Sequence, residues 1–143
     1  MKKEKWIKWE PLQGISPTFG LKKFYCNEGI LTFSIQDKEI DSAPILDIHF
    51  DGFLALRIVH CGNKKVDSYD VDETVIAMKS ETEYEYKWSL FIVENSSYVE
   101  WFREESAGIY EGIDIVHYLI RTPNEMFEVL DTGNLEDVTL IWN

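Results

Sequence analysis

The sequence predicts a β-rich α+β fold: a single domain over 1–143 whose mainly antiparallel strands form a sandwich or a strongly curved sheet. Three observations predict it. Apolar and polar residues alternate with a period of two along most of the chain, and successive candidate strands follow one another without long helical crossovers. Only one stretch, near 97–106, carries the 3.6-residue period of an amphipathic helix.

The elements follow in order. In ILTFSIQ (30–36), Leu31, Phe33 and Ile35 alternate with Thr32, Ser34 and Gln36, the pattern of a half-buried strand. PILDIHFDGFLALRIVHC (44–61) reads as a hairpin turning at Asp51-Gly52, a dipeptide suited to a type I′ turn because both central residues need positive φ. A tight turn there sets Phe50 opposite Phe53 and His49 opposite Leu54, with Leu46, Ile48 and Phe50 on one face. CGNKKVD (61–67) has turn composition, and 66–80 holds one short strand at 74–79.

In TEYEYKWSLFIVEN (82–95), Tyr84, Tyr86, Trp88, Leu90 and Ile92 alternate with Glu83, Glu85, Lys87 and Ser89, and the polar face turns apolar at Phe91 and Val93. Such a strand starts at a sheet edge and finishes in the middle. ENSSYVEWFREESAGIYEG (94–112) follows. Asn95, Ser96 or Ser97 can N-cap a helix, Ser97 with Glu100 has the spacing of a capping box, and Gly108 suits the C′ position. Tyr98, Trp101, Phe102 and Glu105 fall on the stripe expected to face inward. Strands are expected at 114–121, 125–130 and 137–142, separated by the turn formers of TPNE and DTGNLE; the total is about eight or nine.

Charge narrows the function classes. The net charge is −12, and residues 81–143 hold 14 acidic against 3 basic residues, so nearly all the excess lies in the C-terminal part. That surface repels nucleic acid and anionic membranes and attracts basic proteins. KKEKWIK (2–8) is the one basic segment and reads as a solvated end. A cytoplasmic location is expected, since no apolar signal-peptide core follows the basic start and no run is long enough to span a bilayer. Cys26 and Cys61 fit free thiols acting as small buried hydrophobes.

Chemistry-bearing motifs are missing: the sequence has no G-x-S-x-G elbow, phosphate-binding glycine loop, H-E-x-x-H or C-x-x-C. In the hairpin register, His49 and His60 lie at opposite ends and cannot share a metal, and His117 reads as a satisfied sheet residue. Asp67, Asp70, Asp72 and Glu73 are closely spaced but lack the pattern of a calcium loop. No catalytic residue, metal or cofactor is therefore assigned.

The remaining candidate is a surface. Glu100, Glu104 and Glu111 project from the polar side of the helical stretch, near Glu94 and Asp114, with only Arg103 to offset them. Glu104 and Glu105 stand towards the helix C-terminus, where the dipole disfavours anions, so stability alone does not choose that placement. With Tyr110, and with Glu83, Tyr84 and Glu85 of the acidic strand, they form the expected partner-binding set. NSSYVEWFREESAGI followed by IDIVHYLIRTPNEMFEVL resembles small Bacillus-type proteins encoded beside polymorphic toxins and read as their immunity proteins. The resemblance implies a cytoplasmic, non-catalytic protein that neutralises a basic, nuclease-like toxin by occluding its active site. Two other readings stay open: a small-ligand or enzymatic domain using His49, His117 and a carboxylate in a cavity, and a self-associating structural protein.

Overall fold

Phe33 explains the architecture. In the computed structural model, which describes residues 3–60, 69–71, 76–78, 84–134 and 137–143, it lies fully buried on a strand whose apolar face meets a second sheet. Its ring packs edge-on against Phe50 at 5.9 Å and Phe127 at 5.5 Å, and stacks on Phe24 at 5.8 Å. Phe24 also meets Phe127 across the sheets, and Phe50 meets Tyr118. Each such pair adds about 0.5–1.5 kcal/mol beyond the burial itself. The sequence left a sandwich and a curved sheet open; two packed, mostly antiparallel sheets are what forms.

The described residues contain twelve strands and one helix: β1 (Glu4–Lys8), β2 (Phe19–Asn27), β3 (Ile30–Asp37), β4 (Leu46–Phe50), β5 (Phe53–His60), β6 (Tyr69–Val71), β7 (Ile76–Met78), β8 (Tyr84–Tyr86), β9 (Leu90–Glu94), α1 (Ser97–Glu105), β10 (Ile115–Arg121), β11 (Glu125–Thr132) and β12 (Val138–Trp142). One sheet runs β5-β11-β10-β9-β1-β6 and the other β12-β4-β3-β2, while β7 and β8 pair separately. The only parallel pairing among them is β1 with β6.

Several expectations are corrected. β4 and β5 do not form a hairpin: β4 pairs with β3 and β12, β5 pairs with β11, and the chain crosses between sheets at Asp51-Gly52. Gly52 does not take positive φ. It is needed for space, because a Cβ there would come within 2.6 Å of Asp137 Oδ2 and 2.9 Å of Thr132 Oγ1. The tight hairpin lies instead between β2 and β3, where Glu28 and Gly29 both have positive φ (51° and 82°) and Asn27 pairs with Ile30, as a two-residue I′ loop requires.

β1 is not a solvated end. Glu4 and Trp6 point inward, and the strand lies between β9 and β6. β3 is buried on both faces, since Thr32 and Ser34 turn towards the side chains of His49 and Asp47 on β4. The stretch 82–95 divides into β8 and β9, and only β9 reaches the middle of the large sheet. Cys26 is a free thiol but is exposed, not buried; Cys61 lies outside the described residues. No described helix is long and apolar enough to cross a membrane.

Candidate functional site

The helix is held to the large sheet by polar groups. Ser96 is its N-cap: the hydroxyl accepts the Val99 N–H at 3.0 Å and lies 2.7 Å from His117 Nδ1 on β10. The expected capping box between Ser97 and Glu100 does not form. Glu4, arriving from β1, fills that role: its Oε2 accepts both the backbone N–H and the hydroxyl of Ser97 at 3.0 Å, setting a carboxylate at the positive end of the helix dipole. Beneath the first turn, Arg57 of β5 makes a two-pronged pair with Glu128 of β11, at 2.7 and 2.8 Å. The same guanidinium lies 4.1 Å from the centre of the Tyr98 ring, which in turn meets His117 edge-on.

Ser96, His117 and Glu128 have the composition of a nucleophilic triad but not its geometry. His117 Nε2 is 3.1 Å from Glu128 Oε1, yet the two are not aligned for a hydrogen bond. Both Glu128 oxygens are engaged by Arg57, Ser96 is buried with its hydroxyl already bonded to the helix, and the Ser97 N–H that could stabilise an oxyanion is held by Glu4. The set is an anchor.

The outer side of the helix differs. Tyr98 is buried and Phe102 half-buried, but Trp101, expected on the inward stripe, is 52% exposed, and Glu105 is exposed as well. The reason lies beneath: the short helix rests on the polar Arg57–Glu128–His117 surface, and Tyr98 is its one buried residue. At 3.6 residues per turn, Glu100, Trp101, Glu104 and Glu105 share an arc of about 140°, so the tryptophan stands among three exposed glutamates.

Arg103 does not offset these charges as expected. Its guanidinium turns to the following loop and donates to the carbonyls of Tyr110 and Ile113, both at 2.7 Å. The helix ends at Glu105 with Ser106 as C-cap, so Ala107 (φ 51°) takes the C′ position expected of Gly108, which follows it with positive φ as well (84°). The clamped loop displays Ile109, 75% exposed, and Ile113, 44% exposed.

The structure brings some predicted residues together and separates others. Glu104 and Glu111 border one shallow depression beside Arg103 and Gly108; Glu100 borders another with Glu94 and Asn95. Tyr110 is half-buried against Phe102, at 5.1 Å between ring centres, so it supports the loop more than it presents a surface. Tyr84 and Glu85 lie on the separate β7–β8 ribbon, paired with Met78 and Ala77, and Glu83 lies outside the described residues.

Sequence reasoning missed Trp101, Ile109 and Ile113 as surface residues, and no signal in the helical period marks them. Of the C-terminal acids, Glu128 and Asp131 are fully buried and add nothing to the surface. His49 bonds to Thr32 on the smaller sheet while His117 is buried in the larger, so the two do not share a cavity. Among the described residues no three His, Cys, Asp or Glu side chains are grouped to hold a metal. Asp67, Asp72 and Glu73 lie outside the described residues.

No protein-family model matches this chain, and no curated protein or solved structure is significantly similar to it. The helix face and its loop therefore stand on their own geometry.

Proposed function

We propose that the outer face of α1 and the loop at 106–113 form a recognition surface for a basic protein, which the chain neutralises by covering its active site, as an immunity protein does with a nuclease-like toxin. Exposed Trp101 is the observation that carries this reading. Its ring stacks on Tyr98 at 5.8 Å between centres yet keeps about half of its surface exposed, so the fold forgoes part of the ~1.5–3 kcal/mol that full burial of a large apolar side chain contributes. An exposed tryptophan ringed by anions matches the composition of interface hot spots, where an aromatic anchor supplies area and the surrounding charge supplies steering and specificity. Ile109 and Ile113 extend the apolar area, and Arg103 holds their loop in place, which lowers the entropy cost of binding.

The test is a tagged capture from extract of the producing cells at low and high salt, run with wild type, Glu100→Lys/Glu104→Lys and Trp101→Ser. Retention of one basic protein by wild type, weakened by salt and lost in both variants while their circular dichroism is unchanged, supports the reading. Trp101→Ser is expected to cost at least about 2 kcal/mol of binding, roughly thirtyfold. Equal capture by all three proteins removes this face as the contact. A captured partner whose activity persists when saturated with the chain removes the neutralising role.

A further inference from the structure

A second site lies at the other end of the molecule, where the loop after β1 and the β3–β4 connection meet the end of β12. A cavity of about 540 Å³ opens there, within the range of small-ligand sites. Its inner wall is apolar and buried, made by Ile15, Phe19, Ile35 and Leu46. Trp142, 42% exposed, supplies an aromatic side at the mouth. The loops that frame it are tied in place. Gln36 donates to the carbonyls of Asp41 and Ala43, pinning one rim, and Ser16 donates to Asp37, tying the opposite rim to the first. The Ser89 hydroxyl holds Pro17 from behind. The cavity is thus formed before anything enters it.

Asp37 is the one acidic side chain on its lining. Its carboxylate accepts the Glu39 N–H on Oδ1 and the Ser16 hydroxyl on Oδ2, with the Ile40 backbone amide also turned towards it, and Asp37 makes no ion pair among the described residues. The Glu39 amide, followed by the Ser16 hydroxyl, holds its carboxyl below the ordinary value, so it stays ionised at neutral pH. A carboxylate without a cationic partner, on the lining of a cavity that also carries an indole and an apolar floor, is complementary to one kind of ligand. We infer that this cavity binds a small amphiphilic cation, an aliphatic or aryl-alkyl amine, with its ammonium group against Asp37 and Trp142 and its apolar tail on Ile15, Phe19 and Leu46. An anionic occupant would meet repulsion from Asp37, and a purely apolar one would leave that carboxylate to solvent and gain nothing from it.

The experiment is isothermal titration calorimetry with three near-isosteric probes, 4-phenylbutylamine, 4-phenylbutanol and 4-phenylbutyrate, on the full chain. The amine is expected to bind at least about tenfold more tightly than the alcohol, and the carboxylate to bind weakest. Asp37→Asn, which keeps an acceptor for the Glu39 N–H, should erase the amine's advantage while leaving the alcohol within about twofold. Ala43→Phe, at the rim, should abolish binding of all three by filling the cavity. Should Asp37→Asn fail to fold, Trp142→Leu at the exposed mouth gives the same reading: the amine loses more affinity than the alcohol. Equal affinities for the three probes, no saturable binding of the amine, or an amine preference untouched by these variants would overturn the inference.

Discussion

Glu128 and Asp131 lie three residues apart on β11, both without exposed surface, and the chain treats them in opposite ways. Glu128 faces the helix layer, where Arg57 grips both of its oxygens and His117 lies beside it. Asp131 faces the sheet interface. Its carboxylate meets only Thr132, whose hydroxyl lies 3.4 Å from Oδ1 and whose backbone amide also turns to it, and its Oδ2 has no hydrogen-bond partner. Burial, with help from the nearby Asp137 charge, pushes its carboxyl up from the ordinary 3.8 to about 6. A buried carboxylate is tolerable where a cation comes with it; where none does, the group keeps its proton to a higher pH and its ionised form carries a cost.

The largest expected effect breaks the matched side of this contrast. Arg57→Met strands Glu128 without its cation and is expected to cost about 3–5 kcal/mol in denaturant unfolding, while Arg57→Met/Glu128→Met recovers most of the loss. If the double variant were as unstable as the single one, the cost would lie in packing against Tyr98 rather than in charge. Asp131→Asn sharpens the other side. Because the folded carboxyl titrates above the unfolded one, the native state binds the extra proton. The stability it allows is therefore complete below about pH 4, falls as pH rises towards about 6, and stays low above that. Asparagine should flatten this slope and raise stability at pH 7.5 by about 1–2 kcal/mol; a slope that persists would assign it to another group. The smallest effect lies on the outer glutamates, which lack buried partners. Glu100→Lys/Glu104→Lys should change stability by no more than about 0.5 kcal/mol in thermal unfolding, in keeping with a surface kept for binding rather than for folding.

Much of the fold was legible in the sequence because alternation is a local signal. The strands at 115–121, 125–132 and 138–142 and the helix at 97–105 lie close to their expected bounds. What escaped depended on distant partners. Asp51-Gly52 carries hairpin composition, but the backbone there is bonded to the residue before β12 and to the end of β11, Asp51 N–H to the Asp137 carbonyl and Thr132 N–H to the Gly52 carbonyl, and these long-range bonds override the local turn preference. The helix N-cap region was legible from its serines, whereas Glu4, which completes it, is more than ninety residues away in sequence. The candidate surface was legible as charge at Glu100, Glu104 and Glu111. Its tryptophan was not, since a helical wheel marks which side is apolar and says nothing of whether the opposing sheet is polar.

The position of β1 has a consequence in time. Lys5 pairs with Glu94 and Trp6 with Val93, so β1 waits for a neighbour that is synthesised almost ninety residues later. At about 5–20 residues per second that delay is several seconds, during which Trp6 and Ile7 have no sheet to join. Lys3, Lys5 and Lys8 stand close to those two residues in the chain, and charged side chains, lysines above all, beside a short apolar strand are a usual guard against premature pairing with other chains. The basic segment of an otherwise acidic protein is thus placed where it would disfavour pairing of the waiting strand with other chains until β9 has been made.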